Sequence, residues 1–247
     1  MNAPMHYLQA IRRVLDHYER TQMDTIERAA ALVADSVLSG GAVHLAAIGH
    51  SNEQDFLNRA GGPAFLQPFS FSFTLNDPVA DCLKQRPRPE PIDREAEQIR
   101  LALRVGNVRA GDIMAIGSVS GRNVRPVGLA LACREQGIRT IAFTSLAYTA
   151  QVTSAHPSGK KLAEVADLVI DNGAPFGDAA VDIPGYDFSL LPVSGVSMTA
   201  GGWMIWGRAM ELMAERGRPA SAFMSVNRPG GEEVYNQNRE RFQKMGY

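Results

Sequence analysis

Residues 112–145 read DIMAIGSVSGRNVRPVGLALACREQGIRTIAFTS. DIMAI (112–116) is a short apolar run closed by Gly117, which suits a strand buried on both faces. NVRPVGLALACREQG reads as a helix ended by Gly137, and RTIAF (139–143) as a second strand ended by Thr144 and Ser145. A strand, a glycine-rich loop, a helix and a strand of this length form a βαβ unit, with parallel strands and a right-handed crossover.

The same alternation continues in both directions. AVHLAAI (42–48) is another buried-strand run, AFLQPFSFSFTL (64–75) an aromatic stretch with room for an irregular strand, and LAEVADLVI a short helix and strand ending at Asp171. DREAEQIRLALRV predicts a helix capped by Asp93, while Pro87, Pro89 and Pro91 mark a surface connection that no helix crosses. Between Tyr7 and Leu38 apolar residues recur in steps of three and four, predicting two helices or one bent helix. Val196–Arg216 predicts a long closing helix whose Met and Trp residues serve the core or an oligomer contact. Together these elements predict an α/β three-layer sandwich with a parallel sheet of about five strands. The expected divisions are a helical N-terminal extension (1–39), the main domain (40–216) and a C-terminal tail (217–247) that packs on the domain or on a partner subunit.

The 247 residues carry 25 Lys and Arg against 26 Asp and Glu, so there is no charge excess to draw nucleic acid or anionic membrane. Two cysteines, Cys82 and Cys133, are too few for a disulfide framework or a structural zinc site. Charges interrupt the first 20 residues where a signal peptide needs an apolar run, and no apolar stretch is long enough to span a bilayer. A cytoplasmic protein is expected. Folding of 26.8 kDa should leave roughly 11,000 Å² of accessible surface.

In an open parallel sheet, ligands bind beyond the carboxyl ends of the strands. Three such ends carry small hydroxyl residues: Gly49-His50-Ser51, Ser118-Val119-Ser120-Gly121 and Thr144-Ser145. Glycine admits close backbone approach, helix N–H groups point at the ligand, and hydroxyls add donors without charge. The loop at 117–123 has neither the Gly-Lys-Ser/Thr of a nucleotide phosphate loop nor a dinucleotide fingerprint, so a monophosphate on a small molecule is the expected anion. Ser and Gly at strand ends also have an ordinary use as turn and cap residues.

With its preceding strand and the helix, strand and Thr-Ser that follow, GSVSGRN (117–123) resembles the sugar isomerase (SIS) domain family, which includes phosphoheptose isomerase. GHS (49–51), RAGG (59–62), SAHPSGKKL (154–162) and DNGAPFGDA (171–179) resemble one bacterial branch of it. The resemblance covers residues 40–215 and implies a phosphosugar ligand, no redox cofactor, no obligatory metal and a homodimer or homotetramer. It implies that Ser118, Ser120, Gly121 and Asn123 hold the phosphate, that Thr144 and Ser145 complete the cradle, and that Ser51 meets a sugar hydroxyl or another phosphate oxygen. Relatives that isomerise sugars or cleave sugar ethers carry a glutamate about ten residues beyond the first-loop Ser, where this chain has Ala60-Gly61-Gly62. An isomerase is the favoured function, with a non-catalytic phosphosugar sensor, which the missing glutamate favours, and a lyase or etherase as alternatives.

Aldose–ketose isomerisation needs a base to carry a proton between adjacent carbons and an acid to open the ring. Glu53 directly follows the first loop and is the expected base, with Asp55 and Asp178 in reserve; all three also suit plain capping or turn roles. His156, in a donor-rich loop with Ser154, Ser158, Lys160 and Lys161, is the expected acid, although His-Pro also makes an ordinary turn. His50 stands beside a strand-ending glycine and can serve either purpose. His44 reads as a satisfied core histidine, His6 and His17 as solvated, and the cysteines lack a partner for thiol chemistry.

Overall fold

A computed structural model of the chain describes residues 2–46, 53–87, 90 and 92–247. Helices α1 (Ala3–Thr21) and α2 (Met23–Leu38) lead into strand β1 (Val43–Ala46), the one-turn helix α3 (Glu53–Phe56) and strand β2 (Leu66–Phe69). After a long connection come α4 (Arg94–Val105), β3 (Ile113–Gly117), α5 (Val124–Glu135) and β4 (Arg139–Thr144). The chain continues through α6 (Leu146–Thr149), α7 (Leu162–Val165), β5 (Leu168–Asp171), β6 (Ala179–Val181), β7 (Leu190–Pro192), α8 (Ser194–Glu215) and α9 (Gly231–Met245). The main sheet is parallel and five-stranded in the order β2-β1-β3-β4-β5, as the sequence predicts. The order of strands reverses beside β1, so β1 and β3 are neighbours that end at one sheet edge, the place where open parallel sheets take ligands.

Alternate residues of β3 feed two apolar layers. Ile113 and Ala115 face α1, α2 and α8, while Met114 and Ile116 face α4, α5 and α7. The leader helices are integral to the first layer: Ala10, Val14 and Tyr18 of α1 and Ala29, Ala30 and Val33 of α2 are buried in the same cluster as Ile205, Trp206 and Ala209 of α8. A β-carbon at Gly201 would lie 2.5 Å from the Tyr18 hydroxyl, and one at Gly202 2.4 Å from Phe56 Cζ. These two glycines therefore let α8 approach α1 and α3 at backbone contact.

Two elements escape the periodicity. Strands β6 and β7 form an antiparallel hairpin outside the main sheet, too short to show alternation. In the tail, α9 presents almost no buried face; Ser221 Oγ donates to the Tyr247 carbonyl within the tail, while Ala222 pairs with Pro63 and joins the tail to the domain. The accessible surface is 13,839 Å², well above the roughly 11,000 Å² expected for this mass. The connection over 70–87 explains part of the excess, since Phe73 and Leu75 are 60% and 73% exposed. No described helix is long and apolar enough to cross a membrane.

Candidate functional site

The loop between β3 and α5 is held from three sides. Ser118 N–H continues the ladder by donating to the Phe143 carbonyl, and Ser145 N–H donates to Val119 O. Gly121 takes φ of +63°, and a β-carbon there would lie 2.9 Å from Thr144 Oγ1 and 3.0 Å from Thr149 Oγ1. Those hydroxyls fasten the loop: Thr144 Oγ1 donates to Val119 O at 3.1 Å and Thr149 Oγ1 to Ser120 O at 3.1 Å. From the far side, Leu162 N–H donates to Gly121 O, Ala155 N–H to Arg122 O, and Arg122 Nε to Thr153 O. The Lys161 ammonium binds the Thr149 and Val152 carbonyls, tying this strap down.

Several polar groups of this loop remain unused. Asn123 is the N-cap of α5 but makes no side-chain cap bond, and the first turn carries no acidic residue. Among the described residues, the amides of Ser120, Arg122 and Asn123 meet no backbone carbonyl. Ser118 Oγ is buried and likewise without a partner among them. A buried hydroxyl left unpaired is destabilising, and a ligand oxygen would relieve it. Orphan N–H groups at a helix N-terminus favour a phosphate.

Thr144 and Ser145 belong to this site as framework. Ser145 Oγ donates to the Ala174 carbonyl at 2.6 Å and accepts from Tyr148 N–H as the N-cap of α6, so the hydroxyl protons of both residues are directed at protein carbonyls. Asp178 also has structural work: its carboxylate accepts from Ser194 N–H at 2.9 Å and from Ser194 Oγ at 2.6 Å, capping α8. Its own φ of +67° is the left-handed conformation that Asp tolerates. Ser51 and His50 lie outside the described residues.

Glu53 opens α3, half-buried, and lines a cavity of about 30 Å³ beneath the edge of the sheet. Leu45, Ala115, Gly117 and Phe143 form its sheet side, and Met198 and Trp206 its α8 side. Phe56 holds α3 in place, edge-on to Trp203 and Trp206 at 5.4 and 6.0 Å. Asp55 accepts from Thr199 of α8.

His156 is not brought to Glu53. Its Nδ1 accepts from Ser158 N–H at 3.1 Å, and its Nε2 would lie 3.5 Å from a β-carbon at Gly128 of α5, beside Ile99 of α4. The imidazole thus rests on the α4/α5 layer, whereas Glu53 lies on the α8 layer. Sequence spacing cannot reveal this separation, because both loops leave the same sheet edge.

The remaining histidines divide. His44 Nε2 meets Asp112 Oδ2 at 3.2 Å in the core, and burial outweighs that partner to push its pKa below the ordinary value. His17 is not simply solvated: its Nε2 lies 3.2 Å from Asp171 Oδ2 and its ring packs over Gly173. The helical spacing that puts Tyr18 in the core turns His17 toward the end of β5, a contact visible only once α1 is docked. Burial also raises Cys133 to about 12, which keeps it a thiol.

A model of the SIS domain matches residues 6–145. A UPF0309 protein of Listeria innocua is 32% identical over 94% of this chain and 92% of its own length. One from Oceanobacillus iheyensis is 34% identical, over 96% and 95%. Among solved structures, a phosphoheptose isomerase from Neisseria gonorrhoeae superposes with a TM-score of 0.50 at 13% identity, covering 85% of this chain and 95% of its own.

Proposed function

Since the chain belongs to the SIS domain family, with UPF0309 proteins among its relatives, we propose that it binds a phosphorylated sugar and acts on it as an isomerase without a redox cofactor. The observation that carries this reading is the buried, unpartnered Ser118 hydroxyl beside the uncapped N-terminus of α5. Ser118, Ser120, Gly121 and Asn123 would bind the phosphate, and Thr144 and Ser145 would hold that loop in shape. Glu53 would take the proton from the carbon next to the sugar carbonyl and return it to the former carbonyl carbon through an enediol, while the adjacent hydroxyl gives up its proton and the carbonyl oxygen gains one. His156 and Asp178 are left out of the chemistry, the first by its layer and the second by its capping bonds.

A non-catalytic sensor remains the second reading. It is favoured by Ala60-Gly61-Gly62, where Gly61 N–H donates to Phe223 O and Phe223 N–H to Gly62 O, so that segment serves the tail. A thermal-shift screen of sugar phosphates tests the binding, since a ligand at about 100 times its Kd adds roughly 2.7 kcal/mol. We expect stabilisation by a sugar phosphate and none by the same sugar without phosphate. NMR in D2O then separates the readings: deuterium entering the sugar with wild type but not with Glu53→Gln supports the isomerase, and tight binding without exchange supports the sensor. We further propose a homodimer or homotetramer, because the excess surface includes Leu8 and Leu15 on α1, and a monomeric mass by light scattering would count against it.

A further inference from the structure

Trp206 is wholly buried, yet its indole Nε1–H has no acceptor among the described residues. Trp206 lines the same cavity as Glu53, and the other walls, among them Leu45, Phe56, Phe143 and Met198, carry no polar side chain. A buried indole N–H ordinarily finds a partner. The cavity, at about 30 Å³, has room for one small polar group. That group must accept from the indole and must tolerate, or donate to, a carboxylate. A sugar hydroxyl does both, whereas a phosphate would be repelled by Glu53.

We infer that the Trp206 N–H is a specificity-determining donor that holds a hydroxyl at the non-phosphorylated end of the sugar against Glu53. This rests on the phosphosugar reading and adds an orientation to it. Gly117 lines the cavity and Ser118 begins the cradle, so the phosphate end and the Trp206 end of a ligand would lie on consecutive stretches of one strand terminus. Phe56, packed edge-on to Trp206 and on the same turn as Glu53, fixes the donor and the carboxylate relative to one another.

The chain has only two tryptophans, Trp203 and Trp206, so indole ¹⁵N labelling of the full-length protein gives two resonances, assigned with Trp203→Phe. Inorganic phosphate should move the Gly121 amide and leave the Trp206 indole unchanged. Fructose 6-phosphate or glucose 6-phosphate should move both, with the Trp206 indole shifting downfield and exchanging more slowly. Trp206→Phe keeps an aromatic ring and loses the donor; it should weaken the sugar phosphate roughly tenfold and leave inorganic phosphate unaffected. Should that variant not fold, the wild-type titration decides alone. A Gly121 amide that responds to the sugar phosphates while the Trp206 indole stays put overturns this inference and spares the phosphosugar reading. A Gly121 amide unmoved by phosphate and by both sugar phosphates overturns that reading, and the inference with it.

Discussion

Replacing Gly121 with alanine tests whether the β3–α5 loop is closed onto Thr144 and Thr149. Two costs combine. An L-residue held at φ of +63° loses roughly 1–2 kcal/mol relative to glycine. The new methyl group would also lie 2.9 and 3.0 Å from the two threonine hydroxyls, closer than a carbon and an oxygen ordinarily approach. Displacing them weakens their bonds to Val119 O and Ser120 O, each worth about 0.5–1.5 kcal/mol. The expected loss is roughly 2–5 kcal/mol, which lowers Tm by on the order of 10 °C in a domain of this size. Gly159 supplies the control: its φ is +72°, nothing lies within 4 Å of an added β-carbon, and alanine there should incur the conformational cost alone. Urea unfolding of both variants reads the difference directly. Equal losses for Gly121→Ala and Gly159→Ala would refute the closed loop and, with it, the preorganised cradle.

Ser118→Ala should leave stability unchanged or slightly raised, because it removes a buried hydroxyl without a partner, yet should weaken phosphate binding by roughly 1.5–3 kcal/mol in a calorimetric titration. Gly202→Ala should destabilise, although alanine is intrinsically better in a helix by about 1 kcal/mol, because its β-carbon meets Phe56; Phe56→Leu in the same chain should recover part of the loss in a double-mutant cycle. Neutral His44 favours the folded state above its ordinary pKa of 6.5, and that contribution is lost as pH falls below it, because the unfolded chain takes the proton first. Urea midpoints between about pH 7.5 and about pH 5.5 should therefore fall more steeply for wild type than for His44→Gln; a steeper fall in the variant would mean that the His44–Asp112 pair is charged in the fold.

Most of the sheet was legible because β1, β3, β4 and β5 lie in short apolar runs between punctuating residues, whereas β2, with Gln67 and Pro68, was only placed within a longer aromatic stretch; the helices were legible because their spacing is regular. The β6–β7 hairpin and α9 were not, for a physical reason: three-residue strands carry no period, and α9 is mostly polar, with Gly231 its one buried residue. In the proposed cradle, Ser118, Gly121 and Asn123 are positions whose residue types suggest an anion site from the sequence. Three assignments fail to follow from residue type. Thr144 and Ser145 look like ligand donors until Val119 O and Ala174 O claim their protons. Asp178 looks like a site carboxylate until α8 needs a cap. Trp206 looks like a core residue and is one, but only the packed structure reveals that it shares a cavity with Glu53 and that its N–H has no acceptor among the described residues.

A crystal structure with a sugar phosphate taken from the thermal-shift screen tests the central claim most directly. The phosphate should sit at the N-terminus of α5, with an oxygen within about 3 Å of Ser118 Oγ and others on the Ser120 and Asn123 amides. A sugar phosphate bound with its phosphate anywhere else on the molecule, and Ser118 Oγ still unpartnered, would contradict the account.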